Sequence, residues 1–132
     1  MRKSVAVMAL PLMLLVGSAL VAVGAGRHVN ADLTPNGSSG VSGLVQLTQM
    51  PKGGSVLNVR ARGLHPGEQY TSFYYESSDC TEPADKLGTF TAGPSGEGGI
   101  EGRIDDDVDE VGSVSVRLGT GYGDLQACAR TH

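Results

Sequence analysis

Between Gly63 and Cys80 the chain reads GLHPGEQYTSFYYESSDC, and this stretch says most about its architecture. Its first five residues, Gly63 to Gly67, predict a turn, because proline fixes φ and glycine accepts a positive φ. Gln69 to Glu76 is the most aromatic segment of the protein, which predicts a strand. An irregular loop then follows and carries Cys80.

On both sides of this segment, short stretches with alternating or β-branched residues are separated by turn signals. No window after residue 40 shows apolar residues at helical spacing over three turns. The sequence therefore predicts an all-β domain, a small Greek-key barrel or sandwich of about seven to eight strands. The predicted strands are residues 41–50, 55–62, 69–76, 86–92, 99–104, 112–117 and 125–130.

The N-terminal quarter of the chain has the layout of a secretory signal. A short cationic start, Met1 to Lys3, precedes an apolar run from Val5 to Val23, and small residues follow where a signal peptidase could cut. We expect a signal peptide, helical in form, at residues 1–25, a flexible linker at residues 26–40, and the β-domain at residues 41–132. The alternative is an uncleaved anchor, since the apolar run approaches the ~20 residues that span a bilayer.

The charge of the exported part excludes some partners. The whole chain has 10 basic and 14 acidic residues, and removal of Arg2 and Lys3 leaves eight basic residues against 14, a net charge of −6. A nucleic acid partner is not expected, because its binding needs a basic patch. Contact with a membrane is expected only if the leader stays uncleaved.

The chain has two cysteines, Cys80 and Cys128, and so one possible intrachain disulfide. A small domain with no Trp and two Phe has little to fill a core, and exported domains commonly compensate with disulfides. We therefore predict that the two cysteines pair, which favours a secreted or cell-envelope location; the alternative is a pair of buried free thiols.

Four features occur in an order similar to that of the copper/zinc superoxide dismutase family. They are a Val-Ser-Gly opening with Val-Gln-Leu after it (residues 41–47), the Gly-Leu-His-Pro-Gly turn, Asp79-Cys80, and Leu-Gln-Ala-Cys-Ala at the C-terminal end (residues 125–129). The resemblance implies an eight-stranded Greek-key barrel in which the disulfide ties a long loop to the last strand.

The same resemblance implies copper and zinc ligands, and this chain departs from the family at those places. The His-x-His pair of the family falls on Phe73 and Tyr75, and the copper ligand of the later strand falls near Arg117. A copper site needs several imidazoles that converge on one point. The three histidines, His28, His65 and His132, are too scattered in the sequence for that, so the sequence predicts a divergent member without the metal-binding histidines and without a cofactor.

The densest charge cluster is the acidic run from Asp105 to Glu110, in which Asp105, Asp107 and Asp109 form a weak calcium candidate. The EF-hand pattern fails, since its sixth position is Glu110 and its twelfth is Val116. The alternative is a solvated acidic turn.

The aromatic strand offers a possible binding patch. Phe73 and Tyr75 share one face of this strand and are expected to lie beneath the loop that Cys80 anchors. The patch could bind a partner, or the two rings could fill the space of a former metal site.

No serine lies in a nucleophile elbow with a histidine base, and the sequence predicts no catalytic residues. We expect an exported, non-catalytic β-barrel of superoxide dismutase-like fold that acts as a binding or structural module, with an unknown protein or glycan partner. The alternatives are a divergent secreted superoxide dismutase-type metalloprotein and an immunoglobulin-like adhesion domain.

Overall fold

A computed structural model describes residues 27–132 of the chain. These residues form eight β-strands and one short 3-10 helix at Val108–Glu110. The strands are β1 (His28–Pro35), β2 (Ser42–Gln49), β3 (Ser55–Arg62), β4 (Gln69–Tyr75), β5 (Ala84–Thr91), β6 (Gly98–Ile104), β7 (Ser113–Leu118) and β8 (Leu125–Arg130). The all-β prediction is confirmed. The predicted signal peptide lies outside the described residues.

The eight strands form one antiparallel sheet that curls into a nearly closed barrel. Their order is β5-β4-β7-β8-β1-β2-β3-β6, so β5 and β6 are the two ends of the hydrogen-bonded sheet and lie next to each other. Two connections cross the barrel: residues 63–68 lead from β3 to β4, and residues 105–112 lead from β6 to β7. An immunoglobulin-like domain would instead need two sheets bridged face to face.

Large side chains seated on glycines join β5 to β6. A Cβ atom placed on Gly102 would lie 3.0 Å from Leu87 Cδ1, and one on Gly88 would lie 2.5 Å from Ile100 Cδ1. These contacts are possible because the glycines lack side chains, so apolar packing holds β5 and β6 side by side.

The core lies inside the barrel and is built mostly from small and medium aliphatic side chains. The inward positions alternate along β3, where Leu57 and Val59 are fully buried while Arg60 is exposed. Tyr70 is the largest buried residue of this core, and its hydroxyl accepts a hydrogen bond from the His65 backbone N–H at 2.9 Å. The buried tyrosine thus anchors the crossing segment that precedes β4.

The flexible linker predicted at residues 26–40 is wrong over residues 28–35, which form β1. This strand pairs with β2 from His28 to Leu33, and it reaches β8 through Thr34 and Pro35. Leu33 is 2% exposed and belongs to the core. The small and polar residues of the segment indicated a linker. The segment is ordered because it pairs with β2, the next strand, and with β8, the last strand. β1 therefore links the two halves of the sheet.

Among residues 27–132 there is no helix of the length and apolar character that a membrane crossing requires.

Replacement of Leu33 by alanine tests the structural role of β1. We expect Leu33→Ala to lower the free energy of unfolding by about 2 to 4 kcal/mol, because it leaves a cavity in the core. The neighbouring exposed Asp32→Ala is the control and should change it by about 0.5 kcal/mol or less. Urea denaturation followed by tyrosine fluorescence measures both. Equal, small effects would show that residues 26–40 do not contribute to the fold.

Candidate functional site

Phe73 and Tyr75 lie on one face of β4, beneath the loop that carries Cys80, as predicted. They are 7% and 2% exposed, and they pack with Cys80, Leu125 and Cys128 in a cluster separate from the main core. The interpretation of these two residues as a binding patch is therefore corrected: the loop covers both rings, so they offer no surface to a partner.

The predicted disulfide is confirmed: Cys80 in the loop after β4 is bonded to Cys128 in β8, with 6.2 Å between the Cα atoms. The backbone around Cys80 is also fixed, since its N–H donates to Ser113 Oγ at 2.9 Å and that hydroxyl donates to the Ser77 carbonyl at 2.7 Å. A disulfide is compatible with an extracytoplasmic location. The loop is thus tied to both β7 and β8.

Arg117 lies on β7 beside the buried tyrosine, and hydrogen bonds occupy most of its guanidinium. Nε donates to Tyr75 Oη at 3.1 Å, and Nη1 donates to the Gly123 carbonyl at 2.9 Å. Nη2 donates to Tyr122 Oη at 3.0 Å and to the Cys80 carbonyl at 3.4 Å. Four of the five N–H donors of an arginine therefore have partners within the protein.

Tyr122, in the loop between β7 and β8, covers this arginine. The Arg117 guanidinium carbon lies 3.7 Å from the centre of the Tyr122 ring, a cation–π contact, and the ring meets Phe73 edge-on with 5.0 Å between centroids. Burial of the phenol, followed by the nearby Tyr75 hydroxyl, raises the pKa of Tyr122 to about 12, against a smaller lowering by Arg117. Tyr122 is therefore a neutral hydrogen-bonding group at physiological pH.

We call Phe73, Tyr75, Arg117 and Tyr122 the arginine–tyrosine cluster. The resemblance stated from the sequence implies that the histidine ligands of the family would fall on Phe73, on Tyr75 and near Arg117. Chemically, the cluster consists of a permanent cation, two phenols and a benzene ring, and Tyr75 Oη also shares a 2.7 Å hydrogen bond with Ser115 Oγ. These groups bind one another, and a guanidinium is not a metal ligand.

The structure does not bring the three histidines together. His28 lies on β1, with Nδ1 2.9 Å from Thr48 Oγ1, and His132 Nε2 lies 3.1 Å from the Val108 carbonyl. His65 lies in the exposed turn before β4. Within residues 27–132, no group of three or more His, Cys, Asp or Glu side chains is placed to hold a metal ion.

The three carboxylates of the calcium candidate, Asp105, Asp107 and Asp109, do not form such a group. Asp107 has a structural role: its Oδ1 accepts hydrogen bonds from Gln49 Nε2 at 2.9 Å and from the Gly54 N–H at 2.8 Å. Asp109 forms an ion pair instead, with its Oδ2 3.8 Å from Arg27 Nη1. The segment is a turn that fastens the end of the barrel through Asp107.

Negative charges nevertheless gather at this end of the barrel. Burial, and then the charge of Glu110, raises the pKa of Asp106. Burial and the carboxylate of Asp85 raise the pKa of Tyr74 in the same region. The carboxylates therefore repel one another across the end of the barrel.

A groove of about 530 Å³ on the outer surface of β2, β3 and β6 was not predicted from the sequence. Its lining includes Leu44, Arg60, Arg62, Gly99 and Glu101, which belong to three different strands. The alternation of β3 indicated that the arginines point outward, but the groove depends on the register that sets Arg60 opposite Gly99. Sequence reasoning had no means to fix that register.

Comparison with models of known protein families and with curated proteins finds no match for this chain. The resemblance to the copper/zinc superoxide dismutases therefore rests on the motifs quoted from the sequence.

Removal of the Arg117 side-chain charge tests whether the cluster is structural. We expect Arg117→Met to lower the free energy of unfolding by about 2 to 3 kcal/mol, because hydrogen bonds to two phenols and two carbonyls are lost. Arg130→Met, on the exposed end of β8, is the matched control and should change it by about 0.5 kcal/mol or less. Thermal or urea unfolding measures both, and an Arg117→Met protein as stable as the control would contradict a structural role.

The fastening role of Asp107 predicts a dependence on pH. The Gln49 side chain and the Gly54 N–H lower the pKa of Asp107. Its contribution to stability is then fully present above the unfolded carboxyl pKa of about 3.9 and is lost as pH falls through the lower folded value. At pH 7 we expect Asp107→Ala to reduce the melting temperature more than Asp109→Ala does.

That difference between the two variants should shrink as the pH of the melting experiment is lowered below about 4. Addition of calcium should leave the melting temperature of the unmodified protein unchanged. A large calcium-dependent stabilisation that Asp107→Ala abolishes would show that the carboxylate binds a cation instead.

Proposed function

We propose that this chain is an exported, non-catalytic β-barrel of superoxide dismutase-like fold that acts as a binding or structural module outside the cytoplasm. Its partner is a protein or a glycan, and the barrel serves as a scaffold that presents an outer surface. The proposed barrel shares the architecture of the resembled family and lacks its metal chemistry.

The observation that carries this proposal is the arginine–tyrosine cluster. Arg117 donates to two tyrosine hydroxyls and two backbone carbonyls, and the resemblance implies that a copper ligand of the family would fall near this residue. A permanent cation at that place repels a metal ion, and the aromatic rings that surround it are not histidine-type ligands. The space is therefore filled by groups that stabilise one another.

Two further features support the resemblance that the proposal uses. The fold is an eight-stranded antiparallel barrel-like sheet with two connections that cross it, as a Greek-key barrel requires. The disulfide joins the long loop after β4 to the last strand, which is the place that the resemblance implies. Neither feature depends on metal ligands, so both can persist without the enzyme activity.

The surface available for binding is the outer side of β1, β2, β3 and β6. Exposed or half-exposed polar residues from each strand form it, among them Asn30, Gln46, Asn58 and Glu101, which lie in register across the four strands. Amide and carboxylate groups in a row can hydrogen-bond to a polar partner. The groove lies at one side of this surface.

Metal analysis of the purified protein tests the proposal against its main alternative, a divergent metalloprotein. The full chain is expressed with its N-terminal segment, and the protein is recovered from outside the cytoplasm and incubated with copper and zinc before dialysis. We expect elemental analysis to find both metals at background level, and we expect no dismutation of superoxide. Stoichiometric copper or zinc would overturn the proposal.

A further inference from the structure

The groove lies where the outer face of β6 has no side chain, at Gly99 near the start of the strand. Glu101 is the next outward residue after Gly99, and Gly99 lies opposite Arg60 of β3. The stem of Arg60 leans over the glycine, since a Cβ placed on Gly99 would lie 3.2 Å from Arg60 Cδ. The arginine therefore lies along the floor of the groove with its guanidinium at the surface.

The charged groups of the groove are not used by one another. Within the described part of the chain, residues 27–132, the one ion pair with an N–O distance of 4.0 Å or less joins Arg27 to Asp109. To side chains and backbone of the described residues, Arg60 makes a single long hydrogen bond, from Nε to Asn58 Oδ1 at 3.4 Å. Two exposed guanidinium groups thus have free donors, unlike Arg117, whose donors are occupied.

The spacing of these groups matches an extended peptide. Arg62 and Arg60 project from the same face of β3 two residues apart, a separation of about 7 Å along the strand. In an extended ligand beside them, side chains two positions apart have the same spacing. Two carboxylates at such positions can therefore each form a bidentate pair with one guanidinium. Glu101 lies in the next row, opposite Asn58, where it can receive a basic side chain two positions further along.

Other features of the groove favour a peptide over an acidic glycan. Leu44, on β2 opposite Arg60, is 37% exposed and offers an apolar contact beside that arginine. The lining residues, all within the described chain, include no aromatic ring on which a sugar could stack. Glu101 would repel a chain that carries a carboxylate on every repeat.

We propose that the groove binds an extended peptide segment of the pattern acidic-x-acidic-x-basic, where x is any residue. Arg62 and Arg60 bind the acidic side chains and Glu101 the basic one, while Leu44 contacts an apolar part of the ligand. This inference rests on the proposed function as a binding module and gives the chemistry of its partner.

The test uses a fluorescein-labelled peptide, acetyl-Thr-Thr-Glu-Leu-Glu-Thr-Lys-amide, and the protein recovered from outside the cytoplasm. Fluorescence anisotropy should show saturable binding that weakens as sodium chloride is added. The double variant Arg60→Gln with Arg62→Gln should weaken binding at least tenfold. Arg103→Gln, which removes an exposed arginine of β6 outside this groove, is the matched control and should bind as the unmodified protein does.

A second peptide of the same composition, with the two glutamates adjacent, directs their side chains to opposite sides and should bind at least tenfold more weakly. Equal binding of the two peptides, or unchanged binding to the double arginine variant, would overturn the inference. So would displacement by an oligouronate that itself binds more tightly than the peptide, since the groove would then be a glycan site. All variants should keep the melting temperature of the unmodified protein, because both arginines are exposed.

The two proposals fail in different ways. Loss of peptide binding with copper and zinc at background would remove only the peptide proposal. Stoichiometric metal would remove the non-catalytic function whatever the peptide does.

Discussion

The packing of β5 against β6 is the constraint on which the other parts of the structure depend. These strands are the ends of the hydrogen-bonded sheet, and Leu87 and Ile100 hold them together by sitting on Gly102 and Gly88. Apolar contact can take this role because a glycine allows a side chain to approach its backbone within van der Waals distance. The connection at residues 63–68 crosses beside this contact, where the Leu64 N–H donates to the Gly96 carbonyl and the Gly67 N–H donates to the Ala92 carbonyl. A shift of β6 would therefore disturb the crossing segment and the outer groove together.

The arginine–tyrosine cluster fills the space beneath the disulfide-tied loop after β4. A cation in a partly buried position is costly unless its donors find acceptors, and Arg117 finds two carbonyls from loops and two phenols. These acceptors come from the end of β4, the Cys80 loop and the β7–β8 loop, so the side chain joins three segments. The disulfide also stabilises the fold, because it restricts the conformations of the unfolded chain. On the chain-entropy model this contributes roughly 4 kcal/mol to the free energy of unfolding for a separation of 48 residues. The cluster and the disulfide therefore stabilise the same loop in independent ways.

Much of the fold could be predicted from local sequence, whereas the sites depended on contacts between distant residues. The bounds of β3 and β8 were predicted to the residue, because alternation and turn residues are local signals, and the pairing of two cysteines followed from their number and the expected compartment. β1 was missed although Val29, Ala31 and Leu33 alternate, since the short polar residues around them have the composition of a linker and the strand is ordered by partners elsewhere in the chain. Burial of Phe73 followed from strand alternation and the loop after it. The contacts of Arg117 with Tyr122 did not, because a tyrosine in a glycine-rich loop carries no local sign of its partner.

The groove and the cluster lie on different halves of the sheet, and this separation has a consequence for function. The groove is built on β2, β3 and β6, whereas the cluster is built on β4, β7 and the loops around β8. The charged side chains of the groove, Arg60, Arg62 and Glu101, point to solvent and contribute little to the core, so they can change without loss of stability, while the cluster residues cannot. A scaffold of this kind lets the outer face acquire specificity for a partner while the disulfide-tied half holds the fold. This division of roles follows from alternation along β3, which buries Val59 and exposes Arg60 on adjacent residues of one strand.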